Sequence, residues 1–301
     1  MKKLLTITLL LSVAVTGCST QKPAVSDISA TDIALPIVQS VEVPAVKRVV
    51  ALANGSAEII AALGFKSILV GRDVASSIPE LKNVPIDNPS HNVSIEKILS
   101  QNPDLILIDA NTSPQTALDT LRKSGIKLVT VSDPFNLNGV ATKEKEVALA
   151  IGTPLAGLKL ASQIQSASFP KSELKVAFLY VRGTSAIYLI GGKGSGADSL
   201  LTAIGMRDIG AEKLPHPFNS MTAEELISMQ PDVLLLMTKG LQSVSGVDGL
   251  VQLPGIAQTP AGKNRAIVTV DDSLLLSFGP RSVALLPKLR AAIEKVARKA
   301  K

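Results

Sequence analysis

"SIEKILSQNPDLILI" (residues 94–108) and "TAEELISMQPDVLLL" (residues 222–236) are one unit written twice. Each copy opens on a Ser or Thr, places a Glu two residues on, and continues as a short amphipathic run. Each then breaks at Pro-Asp and ends in an apolar run of strand length. That order reads as helix cap, helix, turn and buried strand. In the second copy Thr222 and Glu225 also stand at capping-box spacing. A single cap–helix–strand unit is common in any α/β chain. Two copies 128 residues apart, each in the middle of one half of a 301-residue chain, predict two similar lobes.

The flanking sequence extends each copy into an α/β lobe. "VKRVVAL", "SILVG", "DLILID" and "KLVTV" are short runs rich in β-branched and aliphatic residues, with helical stretches between them near 54–64, 94–100 and 114–124. After the second half begins, "KVAFLYV", "AIYLIGG", "DVLLLM" and "AIVTV" repeat the pattern. Alternation of strands with helices implies parallel sheets with helices on their faces. Between the halves "ATKEKEVALAIGTPLAGLKLASQIQSAS" is helix-forming throughout, apart from Gly152-Thr153-Pro154. Pro154 suits the first turn of a new helix. The expected organisation is an N-terminal lobe over 46–141, a linking helix over 142–168 and a C-terminal lobe over 169–301. A final helix is expected over about 282–299, its basic end complementing the helix dipole.

The chain begins as an export signal. Lys2 and Lys3 precede an apolar run over 4–15 that is too short for an ordinary membrane span. The run ends "VTGC" at Cys18, the only cysteine, so no internal disulfide is available. "VTGC" resembles a lipobox, which implies cleavage after residue 17 and lipidation of Cys18. Residues 18–45, rich in Ser, Thr, Pro and small residues, read as a tether with little structure. The expected location is extracytoplasmic, on a membrane through the lipid.

The chain is 46% apolar, which excludes global disorder, and it has no Trp. The net charge of +6 is mild and unclustered, so nucleic acid is not an expected partner, whereas an anionic small molecule is. A monomer is expected.

"FLYVRG" (178–183) carries one of only two tyrosines. Alternation along a strand puts Tyr180 and Arg182 on one face, near the carboxyl end where open α/β sheets bind ligands. The pair reads either as an ordinary hydrogen bond or as a phenolate held for a cation. Met237 closes "DVLLLM" at another such end, as a cleft residue or plain core. His91, in "NPSHNVS", precedes the first copy of the repeat, as a second ligand or a loop residue. Tyrosinate and imidazole are both haem axial ligands, and a neighbouring cation lowers a phenol's pKa. Tyr188 reads as core or cleft wall, His216 as structural. Arg72 and Arg281 are candidates to meet carboxylates of a ligand, with structural roles equally open. "GGKGSGA" (191–197) lacks the P-loop spacing and reads as a tight turn able to hold an anion.

Two α/β lobes joined by helix in an exported chain resemble the class III substrate-binding proteins of ABC importers, which include cobalamin, siderophore and haem binders. The resemblance implies two Rossmann-like lobes around a rigid helix. It also implies one Glu from each lobe docking on the permease, here Glu96 and Glu224, each seven residues before the Pro of its copy; the bland alternative is a charge stabilising a helix N-terminus. "GRDVASSIP", "PSHNVSIEKILSQNPDLILID", "FLYVRG", "GGKGSGADSLL", "LMTKGLQSVSGVDGL" and "LLSFGPR" are similar to haem-binding lipoproteins of actinobacterial-type haem uptake systems. That similarity implies ferric haem as the transported ligand, axial ligation by His91 and Tyr180, Arg182 tuning the tyrosinate, and Met237 beside it. A siderophore or cobalamin binder is the alternative; absence of Trp and the Tyr-x-Arg pair count against it. An exported hydrolase would have to centre on His91 and lacks a nucleophile-elbow motif.

Overall fold

The computed structural model describes residues 24–88, 93–164 and 169–299. Its strands, in chain order, are β1 (Val25–Ile28), β2 (Val49–Ala51), β3 (Leu69–Asp73), β4 (Ile86–Asn88), β5 (Leu105–Ile108) and β6 (Lys127–Thr130). They continue as β7 (Lys175–Arg182), β8 (Ile187–Gly191), β9 (Arg207–Asp208), β10 (Phe218–Ser220), β11 (Val233–Met237) and β12 (Ile267–Val270). Two sheets result. The N-terminal sheet runs β4-β3-β2-β5-β6 and is parallel throughout. The C-terminal sheet runs β1-β12-β11-β7-β8-β10, with β9 beside β7.

Alternation explains why both lobes are filled on both faces. Val49, Ala51, Leu105 and Leu107 enter one core, while Val50, Leu52, Ile106 and Ile108 enter another across the sheet. In β7, Val176 and Phe178 face one core, and Ala177, Leu179 and Val181 the other. A strand buried on both faces must be apolar at every position, which is why these runs lack polar alternation.

The repeat is structural as well as sequential. The first copy forms helix Ile95–Ser100 and β5; the second forms helix Ala223–Met229 and β11. Asn102 and Gln230, each just before the Pro, take φ of 46° and 48°. Asp104 accepts from the backbone N–H of Lys47 (2.7 Å) and Arg48 (3.1 Å), at the start of β2. Asp232 accepts from Lys175 N–H (2.9 Å), at the start of β7. The Pro-Asp therefore turns the chain and also fixes the neighbouring strand.

Three features differ from the expectation. First, residues 24–45 do not form a loose tether. Val25–Ile28 pairs in parallel with β12, because its aliphatic Val25 and Ile28 continue that sheet's edge. The chain then crosses to the other lobe, where Val38 N–H donates to Ala62 O (2.8 Å). Second, the C-terminal sheet is mixed. β7 and β8 are separated by only four residues, and so short a connection permits only an antiparallel pair. Third, the linker is a helical hairpin: Leu137–Ile151 ends on Gly152 at φ 85°, and Pro154–Ala161 follows.

The hairpin threads both lobes. Val140 lies in a C-terminal core, whereas Val147, Ala148 and Ile151 lie in an N-terminal one. The lobes also touch directly. A Cβ on Gly55 would stand 2.8 Å from Ser277 Cβ, so only Gly fits there, at φ 69°. Arg281 Nη2 and Nε reach Glu58 at 2.7 and 2.9 Å, a buried ion pair between lobes. The buried Lys143 donates to Ser277 O (3.2 Å) and lies 3.6 Å from Asp133.

Candidate ligand-binding site

Tyr180 and Arg182 project from one face of β7 at its carboxyl end, as alternation requires. Arg182 lies with its guanidinium carbon 4.7 Å from the Tyr180 ring centroid. Its Nη2 is 3.1 Å from Asp272 Oδ2, and Nη1 donates to its neighbour's carbonyl, Val181 O (3.1 Å). Asp272 follows β12, and its other oxygen accepts from Lys239 N–H (3.1 Å). The carboxylate thus joins the carboxyl ends of β7, β11 and β12 and aims the guanidinium over the phenol. Among the described residues the Tyr180 hydroxyl has no hydrogen-bond partner. The cation meets the π face and leaves the oxygen open, so of the two readings open from sequence the ordinary Arg182–hydroxyl hydrogen bond is not the one formed.

The Phe218 ring, on edge strand β10, packs edge-on to Tyr180 with centroids 5.5 Å apart. It is 39% exposed, unusual for so large an apolar group, and extends an aromatic wall beside the phenol. Phe135, also exposed, stands near the Gly-rich turn on the approach to the hairpin. Neither was singled out from sequence. Asp272 was legible in principle, as one of two aspartates immediately after a strand.

The other expected residues separate. Met237 is 1% exposed and belongs to the C-terminal core with Phe178 and Val268, so as it stands it offers no surface to a ligand. His91 lies outside the described residues, as does Cys18. Glu96 and Glu224 are exposed in the first turns of Ile95–Ser100 and Ala223–Met229, at matching places in the two lobes. Tyr188 packs on the opposite face of the sheet from Tyr180, and His216 is exposed.

Both arginine candidates for ligand carboxylates are committed elsewhere. Arg72 donates to the carbonyls of Leu81, Val84, Asp73 and Ser76. Arg281 is taken by Glu58, Ser273 and Ala30 O. The anion place in "GGKGSGA" is also filled. Asp198 accepts from Gly194 N–H (2.7 Å) and Gly196 N–H (3.0 Å), so the turn closes on its own carboxylate.

Burial dominates the titration of the interlobe acids. It pushes the Glu58 carboxyl up to about 7 against the opposing pull of Arg281. Glu144, on the hairpin, is pushed up to about 8 by burial alone. Neither of its oxygens has a partner among the described residues.

Two α/β lobes are joined by a helical hairpin and a buried ion pair, and Tyr180, Arg182 and Asp272 meet at the carboxyl end of the C-terminal sheet. The periplasmic binding protein family matches residues 49–274, and the chain belongs to it. The fold is similar to the periplasmic haem-binding protein RhuT from Roseiflexus sp. RS-1 in apo form, at 35% identity and a TM-score of 0.78 over 83% of this chain and 99% of that one. It is also similar to the haem-binding protein HmuT, at 28% identity and a TM-score of 0.77 over 93% and 98%. Among sequence relatives, the ABC transporter substrate-binding lipoprotein YvrC of Bacillus subtilis (strain 168) is 25% identical over 82% of this chain and 80% of its own length. A vitamin B12-binding protein of Vibrio campbellii (strain ATCC BAA-1116) is 25% identical over 62% and 70%. The chain is therefore an extracytoplasmic substrate-binding protein of an ABC transporter, a partner of its permease and not an enzyme.

Proposed function

We propose that the ligand is ferric haem, captured outside the cell and delivered to the permease of a haem importer. The observation that carries this reading is the Tyr180 hydroxyl, open at a strand end, with a guanidinium 4.7 Å from its ring held by Asp272. An anionic oxygen is a ligand for ferric iron, and a cation held beside the ring offsets its charge. Phe218 and Phe135 supply aromatic surface for a flat porphyrin. The likeness to RhuT and HmuT supports the same ligand. His91 is the second axial ligand in this reading. Cys18 carries the lipid, Glu96 and Glu224 dock on the permease, and the protein acts as a monomer.

The test is a visible titration of the purified chain with haemin. An intense Soret band in the wild type and a shifted, weaker one in Tyr180→Phe are expected. His91→Ala should re-colour the complex. An unchanged spectrum in both variants overturns the ligation.

A cobalamin binder is the second reading, supported by sequence relatives named vitamin B12-binding. Cobalamin offers no iron for a tyrosinate, so it leaves Tyr180 and Arg182 without a role. Competition between haemin and cyanocobalamin in one titration decides between them.

A further inference from the structure

An acid stands where the hairpin is otherwise apolar. Glu144 is four residues after Val140, which lies in a C-terminal core, and four before Ala148, which lies in an N-terminal one. Positions four apart share a helix face, so Glu144 occupies the apolar stripe where it passes from one lobe to the other. It is fully buried, and neither carboxyl oxygen has a partner among the described residues. Burying a polar group without a partner is costly, and native folds rarely do it.

The cations packed around Glu144 are turned elsewhere. On its own helix Lys143 reaches Ser277 O and Asp133, and Lys145 is exposed. On the second helix Lys159 Nζ donates to Gln39 O (3.3 Å). Arg281, just before the final helix Ser282–Lys299, is taken by Glu58, Ser273 and Ala30 O, and Lys288 donates to Asp32 O. Burial is accordingly the one influence on the Glu144 carboxyl.

The space beside it is a cavity of about 250 Å³. Leu35 lines it from the crossing segment, Leu160 and Ile164 from the second helix and the residues just past it, and Val283 from the start of the final helix. Leu35 and Leu160 pack on an N-terminal core and Ile164 on a C-terminal one, so the cavity lies at the joint between the lobes. Among the described residues Gln163, exposed at the rim, is the other polar side chain in the lining. Tyr180, Arg182 and Asp272 have no part in these walls. Apolar walls with one or two polar groups are the make-up of small-molecule sites, and the polar groups decide which molecule is held. Here the deciding group is a carboxyl with both oxygens free and no cation of the chain beside it. A guest that answers it brings N–H donors and a positive charge on an apolar body.

We propose that this interlobe cavity binds a small organic cation, an ammonium on a short apolar chain, with the nitrogen on Glu144 and the chain against Leu35, Leu160, Ile164 and Val283. The proposal is independent of the ligand at Tyr180. Burial holds the proton on Glu144 up to about pH 8, so below that pH binding displaces it. The carboxyl O–H bond breaks, the proton passes to solvent, and the ammonium N–H donates to the carboxylate so formed.

Calorimetric titration of the purified chain with n-butylammonium at pH 7, in two buffers of different ionisation enthalpy, is the test. Saturable binding of one amine is expected, with release of about one proton per complex. n-Butanol, which has the same chain and no charge, should bind about tenfold more weakly or worse, the measure of a lost charge-assisted hydrogen bond. Glu144→Gln should weaken butylammonium by a similar factor and release no proton. Val283→Trp fills the cavity and leaves the acid in place; it should abolish amine binding while its haemin spectrum matches the wild type. Equal affinity for butanol and butylammonium overturns the proposal, as does undiminished binding to Glu144→Gln or to Val283→Trp. Binding without proton release overturns it too, and so does a titration that shows no saturable heat.

Discussion

Arg182 reaches Tyr180 through the ring face, 4.7 Å from the centroid, while Asp272 holds its Nη2 at 3.1 Å. The hydroxyl is left for something else to bind. Removing the cation should weaken the bond between this oxygen and ferric iron, and a loss of about 1.4 kcal/mol is roughly tenfold in affinity. Arg182→Ala is expected to move the visible bands and speed haemin loss by about that factor, followed by transfer to apomyoglobin. Asp272→Asn should act in the same direction and less strongly, since the guanidinium remains but is no longer held. Wild-type loss rates in both variants would leave the pair without a role in binding.

Glu96 and Glu224 occupy the same turn of equivalent helices, exposed in both lobes. They do not touch Tyr180 or Arg182. Glu96→Ala combined with Glu224→Ala should therefore keep the wild-type haemin spectrum and affinity, while haem-dependent growth falls toward that of a strain lacking the protein. Normal growth of the double variant would argue that both carboxylates only favour their helix N-termini.

How far the sequence carried the fold follows from where the information is local. The Pro-Asp repeat was readable because each copy holds its own cap, turn and strand, and Asp104 and Asp232 perform the same tie in both lobes. β1 was not readable. Four residues inside a Ser- and Pro-rich stretch carry little local signal, and only the open edge of β12, contributed some 240 residues later, makes Val25–Ile28 a strand. The site divided the same way. Tyr180 and Arg182 followed from period-two alternation. Asp272 and Phe218 reach them across the sheet, by pairings that no spacing along the chain encodes. Arg72 and Arg281 looked available because a sequence does not show which carbonyls or carboxylates already occupy a guanidinium.

The Glu58–Arg281 pair is buried at 0% and 2% side-chain exposure and bridges the lobes. Breaking one side strands a charge. Arg281→Met should cost about 3–5 kcal/mol, read as a lowered denaturation midpoint, because Glu58 then lies buried beside Asp73 and Asp271 without its cation. Glu58→Gln with Arg281→Met should recover much of that loss, since replacing both charges is far less costly than removing one. A double variant as unstable as Arg281→Met alone would mean that packing, not charge, holds this junction.

Glu144 offers the sharpest pH test. Its carboxyl lies on the hairpin, fully buried, with neither oxygen partnered among the described residues. It borders a cavity of about 250 Å³ between residues 34–36, the hairpin and the start of the final helix. Burial raises it from 4.5 to about 8, so the folded protein holds a proton that the unfolded chain has released between those values. Stability from this group is present below about pH 4.5 and is lost as pH rises to about 8, at no more than about 1.4 kcal/mol per pH unit. Glu58 and Asp208, both pushed up to about 7 chiefly by burial, slope the same way over a narrower range. Glu144→Gln keeps the shape and removes the proton. Its midpoint in urea should fall below the wild type at pH 5, where the protonated acid is neutral and matched to its site, and approach or exceed it at pH 8.5. The difference between the two pH values should therefore shrink in the variant. An identical pH dependence in both proteins would mean that Glu144 is ionised in the fold, with a cation or water beside it.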